Sequence, residues 1–373
     1  MTIQTKRSTT IEDVARVAGV SRAAVSKVIR DAYGVSPEMR ARVESAIEEL
    51  SYRPRASARA MRGSSYTIGV EIPQMDNQFF PKIINGAAAA LAGTQYQLII
   101  APAGPHHDQG PAAIEVLADR QVDGIVAISS GVAPEWLENL GRSVPLVMIG
   151  RHHESVNYDT LVGDDLLGAE LAVRHLFDLG HRRIVHLTLA ENGPDTQPGT
   201  PHGMRVLAYR QTMHDLGLEP EIIWAAMSPD VVLDRIQRLL STAKGEPVGI
   251  FAAHDDMALE VLRIATELGL GPGQVSVVGY DDTEIAAHPM ISLTTVNQSG
   301  TQMGAIGVRL LLERIAGRTE AAHEVLTPKI MVRNSTAAPA RPVPRAVGNS
   351  ARKPKQQTHQ VDGQSRPAPQ ARR

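Results

Sequence analysis

The stretch TIEDVARVAGVSRAAVSKVI (residues 10–29) decides how the amino-terminal part of the chain folds. Apolar residues at helical spacing predict a first helix that is broken at Gly19, and Ser21 is placed to cap a second helix. A third helix is predicted after Ser36-Pro37, because a capping hydroxyl followed by proline at the first helical position is typical of a helix start. Three short helices around a glycine turn predict a helix-turn-helix domain.

The second of these helices carries the side chains expected to meet DNA. Arg22 and Lys27 can donate hydrogen bonds to guanine acceptors, and Ala23 can touch a thymine methyl group. Ser21 begins the helix beside a phosphate, and Arg16 on the first helix is placed to contact the backbone. We therefore expect the end of this domain to read the major groove of a double-stranded operator.

The charge is unevenly distributed. Residues 1–65 carry a net charge of +5, residues 66–337 carry −14, and residues 338–373 carry +7. A basic head on an acidic body indicates a chain that presents one end to a polyanion and keeps the rest away from it. The last segment is rich in Pro, Gln, Arg and Ala and has almost no residues for a core, so it is expected to be a disordered basic tail.

From Thr67 onward, short apolar strands alternate with amphipathic helices. This alternation predicts doubly wound parallel sheets covered on both faces. Roughly 270 residues with about ten strands exceed one such unit, so two lobes are expected, with a ligand cleft where the carboxyl ends of the strands face each other. The predicted strands are 67–72, 96–101, 124–129, 145–150, 183–188, 248–253, 274–280 and 292–296, and the predicted helices include 80–91, 166–179, 205–216, 257–268 and 301–315.

Several classes of protein are excluded or disfavoured by what the sequence lacks. Cysteine is absent, so disulfides and thiolate metal sites are impossible. No apolar run approaches the ~20 residues of a membrane span and no secretory signal is visible, which favours the cytoplasm over a secreted solute-binding protein. No nucleotide-binding, hydrolase or zinc-protease motif occurs, so neither an enzyme nor a cofactor is expected. The adjacent histidines at 106–107 and 152–153 are expected to be exposed loop residues without a carboxylate partner rather than metal ligands.

The motifs D-V-A, A-G-V-S, V-S-K-V and Y-R-P occur here in order within residues 13–54. In these residues the chain resembles the lactose-repressor/galactose-repressor (LacI/GalR) family of bacterial transcription regulators. The resemblance implies that residues 54–63 form a hinge helix that folds when two chains meet over the operator. Met61 would then be the apolar wedge in the minor groove, supported by Arg59 and Arg62.

The same resemblance extends through a two-lobed, periplasmic-binding-protein-like effector domain. The stretches LGHRRIVHL (179–187), FAAHDDMALEVLRIATELGLGPGQVSVVGYDD (251–282) and LTTVNQ (293–298) carry it most clearly. Residue by residue, it implies a cleft lined by Phe79, Phe80, Asp165, Arg205, Phe251, His254, Asp281 and Gln298.

The chemistry of four of these residues fits a ligand site. Asp281 follows an apolar strand, where its carboxylate can accept two ligand hydroxyls. Arg205 is expected at the start of a helix, where the dipole disfavours a cation unless a ligand explains it. Phe79 and Phe80 can either stack on a ligand ring or pack in the core.

Four departures from the family pattern make the targets specific to this chain. Ala24 stands where threonine is usual, and Lys27 stands where arginine is common, so the operator cannot be copied from a relative. His254 replaces a frequent asparagine, and the loop 191–203 is longer than the family's.

Together these observations predict four segments: a DNA-binding domain (8–53), a hinge helix and linker (54–65), an effector-binding and dimerisation domain (66–337), and the tail (338–373). The predicted function is a repressor that binds a pseudo-palindromic operator as a homodimer, with a tetramer as the alternative, and that a small effector releases. A carboxylate-rich cleft on an acidic body favours a neutral sugar, and a purine or nucleoside is the alternative.

Overall fold

The computed structural model describes residues 9–29, 32–52, 64–103, 110–128, 131–189, 196–225, 229–242 and 246–340. The predicted hinge at 54–63, with Arg59, Met61 and Arg62, lies outside these residues. The histidines at 106–107 and the tail beyond residue 340 lie outside them as well.

Three helices form the amino-terminal domain: α1 (Ile11–Ala18), α2 (Arg22–Ile29) and α3 (Pro37–Glu49). Thr10 and Asp13 form a capping box at the start of α1, and Gly19 ends it with a φ of 65°, which glycine adopts without strain. Ser36 caps α3 through the amide of Met39, with proline at the start of the helix as predicted. Val14, Val25 and Val43, one from each helix, are fully buried together. The helix-turn-helix prediction is confirmed.

The first lobe is a six-stranded parallel sheet in the order β11-β5-β4-β3-β1-β2. Its strands are β1 (Thr67–Ile72), β2 (Gln97–Pro102), β3 (Gly124–Ala127), β4 (Leu146–Ile149), β5 (Asp159–Gly163) and β11 (His323–Leu326). Its helices are α4 (Phe79–Ala90), α5 (Gly110–Asp119), α6 (Pro134–Gly141) and α11 (Gly300–Ile315). At the entry to β1, Asp123 accepts hydrogen bonds from the amides of Ser65 and Tyr66, at 2.6 and 2.8 Å, which fixes the linker to this lobe.

The second lobe is a six-stranded sheet in the order β12-β10-β9-β8-β6-β7, in which only β12 is antiparallel to its neighbour. Its strands are β6 (Ile184–Thr188), β7 (Glu221–Trp224), β8 (Val248–Ala252), β9 (Val275–Tyr280), β10 (Thr294–Asn297) and β12 (Lys329–Met331). Its helices are α7 (Asp165–Asp178), α8 (Pro201–Asp215), α9 (Pro229–Thr242) and α10 (Asp255–Glu267). The predicted pair of doubly wound parallel sheets is confirmed.

The chain passes between the lobes three times, after β5, after β10 and after β11. This threading was not foreseen, because it depends on which sheet each strand joins. All eight predicted strands are present within one or two residues of their expected bounds, and β5, β7, β11 and β12 are additional. The short strands β11 and β12 alternate between exposed and half-buried residues, so they lack the continuous apolar run that marked the other strands.

The predicted start of one helix at Arg205 is wrong. Helix α8 begins at Pro201, with Thr200 as its cap, so Arg205 lies in the second turn. Proline at the first helical position and a threonine before it are the usual start signals, and they were obscured by the Gly/Pro-rich loop. None of the described helices is long and apolar enough to cross a membrane.

Candidate functional site

A cavity of about 110 Å³ lies between the two lobes. Its walls come from residues at the carboxyl ends of strands in both sheets and from the first turns of α4 and α8. This is where doubly wound sheets bind ligands. Seven of the eight residues expected in the cleft line the cavity: Phe79, Phe80, Asp165, Arg205, His254, Asp281 and Gln298.

The eighth residue, Phe251, lies elsewhere. It is fully buried in β8 and stacks on the ring of His186 with 4.5 Å between the ring centroids, so it belongs to the core of the second lobe and does not line the cavity. Strand β8 is central and both of its faces are covered, so a side chain in it has no route to the cleft. The sequence placed Phe251 near the end of a strand, but it did not show whether the ring points into the cavity or into the core of the lobe.

Arg205 is held in the cavity wall by three contacts. Its Nε donates to Asp165 Oδ1 at 2.7 Å, its Nη1 donates to the carbonyl of Ala253 at 2.7 Å, and its guanidinium lies over the ring of Tyr280 at 3.6 Å. The side chains of Arg205 and Asp165 are only 4% and 2% exposed. A buried charge of this kind is tolerated because it is paired and hydrogen-bonded. The ligand-facing cation is therefore already neutralised by the protein.

His152 completes this arrangement and corrects an expectation. Its Nε2 lies 2.7 Å from Asp165 Oδ2, with a side chain only 14% exposed, so it does have a carboxylate partner. Burial alone raises the pKa of Asp165, but Arg205 and His152 outweigh it and hold that pKa below its ordinary value. The partner is thirteen residues away in sequence and in the other lobe, so no local pattern announced it. His153, the next residue, has its Nε2 3.2 Å from the hydroxyl of Tyr158.

Asp281 enters the cavity from the end of β9. Gln298 Nε2 donates to Asp281 Oδ1 at 2.5 Å. The backbone of Asp281 has a φ of 114°, a region that residues other than glycine rarely adopt. Burial raises the pKa of Asp281 well above its ordinary value, and Arg205 opposes this shift only in part. A buried carboxyl with a raised pKa in a cleft is a candidate for a functional group of a binding site.

Hydrogen bonds to the carboxylate of Asp255 hold the turn that contains Asp281. The amide and hydroxyl of Thr283 donate to Asp255 Oδ2 at 2.7 and 2.8 Å, and Thr295 Oγ1 donates to Oδ1 at 2.5 Å. Burial raises the pKa of Asp255 to about 6, although these donors lower it. The strained backbone at Asp281 is thus fixed by a fully buried network.

Two histidines face the cavity, and sequence reasoning found only one. His254 caps α10 by accepting a hydrogen bond from the amide of Met257 at 3.4 Å, and burial lowers its pKa to about 4. His202 lies in the first turn of α8, with its ring centroid 6.2 Å from that of His254. It was missed because its helix, which begins at Pro201, was expected to begin only at Arg205.

Phe79 and Phe80 differ in burial, which bears on whether each ring packs in the core or can stack on a ligand. Phe79 is 7% exposed and packs into the core of the first lobe, while Phe80 is only partly buried at the edge of that core. Their ring centroids are 6.1 Å apart. Phe80 is therefore the ring more accessible to a ligand.

The predicted DNA-reading face is open to solvent. Ser21, Arg22, Ala23 and Lys27 are all exposed on or just before α2. Arg22 pairs with Glu12 at 3.0 Å, and Arg16 pairs with Asp13, but the two arginine side chains are 65% and 76% exposed. Exposed pairs of this kind exchange readily for a phosphate or a base edge because they contribute little stability.

Comparison with known proteins agrees with the assignment of the amino-terminal helix-turn-helix domain and of the two-lobed domain. Residues 10–55 match the model of the bacterial regulatory proteins, lacI family, and residues 173–336 match a periplasmic binding protein-like domain.

Two relatives and one solved structure resemble most of the chain. The HTH-type transcriptional repressor PurR of Vibrio campbellii (strain ATCC BAA-1116) and the ribose operon repressor of Escherichia coli (strain K12) are each 31% identical over 334 residues. These alignments span 87% of this chain and 98% and 99% of the relatives. The structure of the transcriptional regulator CelR in complex with cellobiose is 31% identical, covers 88% of this chain and 99% of its own, and superposes with a TM-score of 0.62. The chain is a DNA-binding transcription regulator, not an enzyme, and it belongs to the LacI family of bacterial regulatory proteins.

Proposed function

We propose that this regulator is a homodimeric repressor whose effector is a small, neutral, polyhydroxylated molecule, a sugar in the first instance. The observation that carries the proposal is the pairing of Arg205 with Asp165, because it leaves the described residues of the cavity wall without an uncompensated cation for a phosphate. Asp281, in contrast, offers a carboxyl that hydroxyl donors would satisfy. A phosphorylated ligand would bring negative charge beside that carboxyl.

The size of the cavity supports a small ligand. At about 110 Å³ it has room for several water molecules, which favours a small ligand over a large one. A purine or nucleoside is the second candidate, because Phe80 could stack on a flat base. The relatives include a repressor named PurR and a ribose operon repressor, and these names do not decide between the two candidates.

We assign one role to each of the four segments predicted from the sequence. Residues 8–53 read the operator, residues 54–65 act as hinge and linker, residues 66–337 bind effector and dimerise, and residues 338–373 add non-specific affinity for DNA in the cytoplasm. In the operator complex, the proposed contacts are Ser21, Arg22, Ala23, Lys27, Arg16, Arg59, Met61 and Arg62. The proposed effector contacts are Phe79, Phe80, Asp165, Arg205, His254, Asp281 and Gln298.

The mechanism joins the two ends through the lobes. A ligand that contacts Arg205 and Asp281 on one side and Phe80 on the other favours closure of the cleft, which moves the first lobe and the linker fixed to Asp123. Closure then changes the spacing of the paired hinges and the affinity for operator. Because the coupling is thermodynamic, operator must change effector affinity by the same factor.

The test is a thermal-shift screen of the full chain against D-ribose, D-glucose, D-xylose, cellobiose, adenosine, hypoxanthine, ribose 5-phosphate and glucose 6-phosphate. A ligand at about 100 times its Kd should stabilise the protein by about 2.7 kcal/mol. We expect a neutral sugar to do so and to lower the affinity for operator DNA in a binding assay. Stabilisation by a sugar phosphate alone would contradict the proposal, and stabilisation by hypoxanthine or adenosine alone would favour the second candidate.

A further inference from the structure

His202 has no role in the binding scheme above, yet it occupies the wall of the cavity. Its Nδ1 is fully buried and has no hydrogen-bond partner among the described residues. A buried polar atom without a partner costs free energy, and in native proteins it is usually explained by water, an ion or a ligand. Other atoms of the ring line the cavity, so a ligand there becomes a partner for Nδ1 when the ring turns about its Cβ–Cγ bond.

The position of His202 is fixed by the loop before it. Thr200 caps the helix by accepting from the amide of Gly203 at 3.2 Å and donates to the carbonyl of Gln197 at 2.7 Å. A Cβ atom at Gly203 would lie 2.1 Å from that same carbonyl oxygen, so the helix start is packed tightly on its own loop. The amide of His152 in the other lobe donates to Gly199 at 2.9 Å. His202 is therefore held at the joint of the two lobes.

The neighbours of His202 decide its protonation. Burial lowers the pKa of His202 well below its ordinary value, and the positive charge of Arg205 lowers it further. The nearby ring of His254 accepts a hydrogen bond at Nδ1 from the amide of Met257, so its proton lies on Nε2. Both imidazoles are neutral: His254 can offer a ligand the N–H at Nε2, and His202 can donate from one nitrogen and accept at the other.

A pair of neutral imidazoles prefers one kind of ligand group. A hydroxyl can accept from one ring and donate to the other, which satisfies both. A phosphate would meet neutral rings beside the carboxyl of Asp281 and would gain no cationic partner there. A ligand lacking the hydroxyl would leave the rings unpaired, and sites built to bond a hydroxyl discriminate strongly against its absence.

We propose that His202 is a specificity-determining residue, which with His254 recognises one hydroxyl of the effector and discriminates against its deoxy analogue. This inference rests on the proposed function and assigns part of the same cavity to one ligand group. A phenylalanine at this position would keep the ring and remove both nitrogens, so it separates recognition from packing.

The test compares His202→Phe, His202→Gln and the wild type by calorimetry with D-ribose against 2-deoxy-D-ribose, and with D-glucose against its 2-, 3-, 4- and 6-deoxy analogues. For one of these pairs, we expect wild type to prefer the hydroxylated sugar by about 10-fold or more. His202→Phe should lose most of that preference, because its affinity for the parent sugar falls about 10-fold while its affinity for the deoxy analogue changes less than about 3-fold. His202→Gln, which keeps a donor and an acceptor, should restore part of the preference.

The matched control is His214→Phe on the same helix, whose side chain is 85% exposed, and it should leave all affinities unchanged. Equal loss of both sugars in His202→Phe, or an unchanged preference, would overturn the inference while the proposed function stands. If His202→Phe does not fold, an unaltered affinity and preference in His202→Gln together with an equally unaltered His202→Ala would overturn it as well. If wild type binds none of the neutral sugars of the thermal-shift screen, the proposed function fails and this inference fails with it.

Discussion

Asp165 and Arg205 join the ligand cavity to the place where the chain first crosses from one lobe to the other. Asp165 is the first residue of α7, directly after that crossing, and its Oδ1 accepts from Arg205 Nε at 2.7 Å inside a nearly dry wall. Its second oxygen contacts His152 of the first lobe. The carboxylate of Asp165 thus neutralises Arg205 and contacts both lobes. A ligand that alters this pairing acts directly on a contact between the two lobes.

Asp165→Asn should strongly destabilise the protein. The change keeps the size of the side chain but leaves Arg205 as an uncompensated buried charge, which costs about 3–5 kcal/mol when a buried pair loses one partner. Urea unfolding of the full chain measures this. The matched control on the same helix is Glu170→Gln, whose partner Arg174 is 45% exposed, and it should cost about 0.5 kcal/mol or less. Similar losses in the free energy of unfolding for both variants would show that the buried Asp165–Arg205 pair contributes no more to stability than the exposed Glu170–Arg174 pair.

His152→Ala should weaken effector binding as well as the stability of the protein. Without His152, Asp165 loses a hydrogen-bond partner from the other lobe, and its pKa is held down only by Arg205. We expect effector affinity to fall about 10-fold, with a loss of stability of about 1–2 kcal/mol. The neighbouring variant His153→Ala removes a contact to Tyr158 instead and should leave effector affinity unchanged. Calorimetry with the sugar found in the screen distinguishes the two, and equal affinities for all three proteins would exclude an inter-lobe role.

The stability of the second lobe should depend on pH through His186. Burial lowers the pKa of His186 to about 3, although its hydrogen bond to the carbonyl of Phe251 opposes this. Because the unfolded chain takes up a proton at its ordinary pKa of about 6.5 and the folded chain does not, the folded state loses stability as pH falls from about 6.5 towards 3. The contribution is constant above that range.

His186→Gln is neutral at every pH and should lack this loss. The stability of wild type relative to the variant should fall by about 2 kcal/mol between about pH 7.5 and pH 5. Urea unfolding at the two pH values gives this difference directly, independently of any constant cost of the substitution. Parallel pH dependences for the two proteins would show that His186 takes up its proton in the folded state.

Two substitutions should separate reading of bases from contact with phosphates. Lys27→Gln on the exposed face of α2 should weaken binding to the selected operator by about 1–3 kcal/mol and broaden the preference at one base pair. Arg16→Gln should weaken all duplexes alike and reduce the slope of log affinity against log salt by about 1. Fluorescence anisotropy with duplexes selected from a random pool measures both. A uniform loss for Lys27→Gln would place that residue at a phosphate instead.

The sequence by itself determined the local features of this protein. The spacing of valines, the glycine after α1 and the hydroxyls at Thr10 and Ser36 specify short capped helices through contacts within a few residues. The apolar runs of the central strands are similarly visible, since both faces of those strands are buried. Asp281 could be placed because a carboxyl end of a parallel strand has a fixed relation to the ligand edge.

Only the tertiary structure decided which distant residues meet. His152 and Asp165 come together because the chain crosses between lobes, and His202 enters the cavity because α8 begins four residues earlier than the sequence indicated. Phe251 turns into the core because β8 is covered on both faces. These outcomes depend on strand order, lobe assignment and side-chain direction, which are set by packing across the whole molecule and leave no periodic signal along the chain.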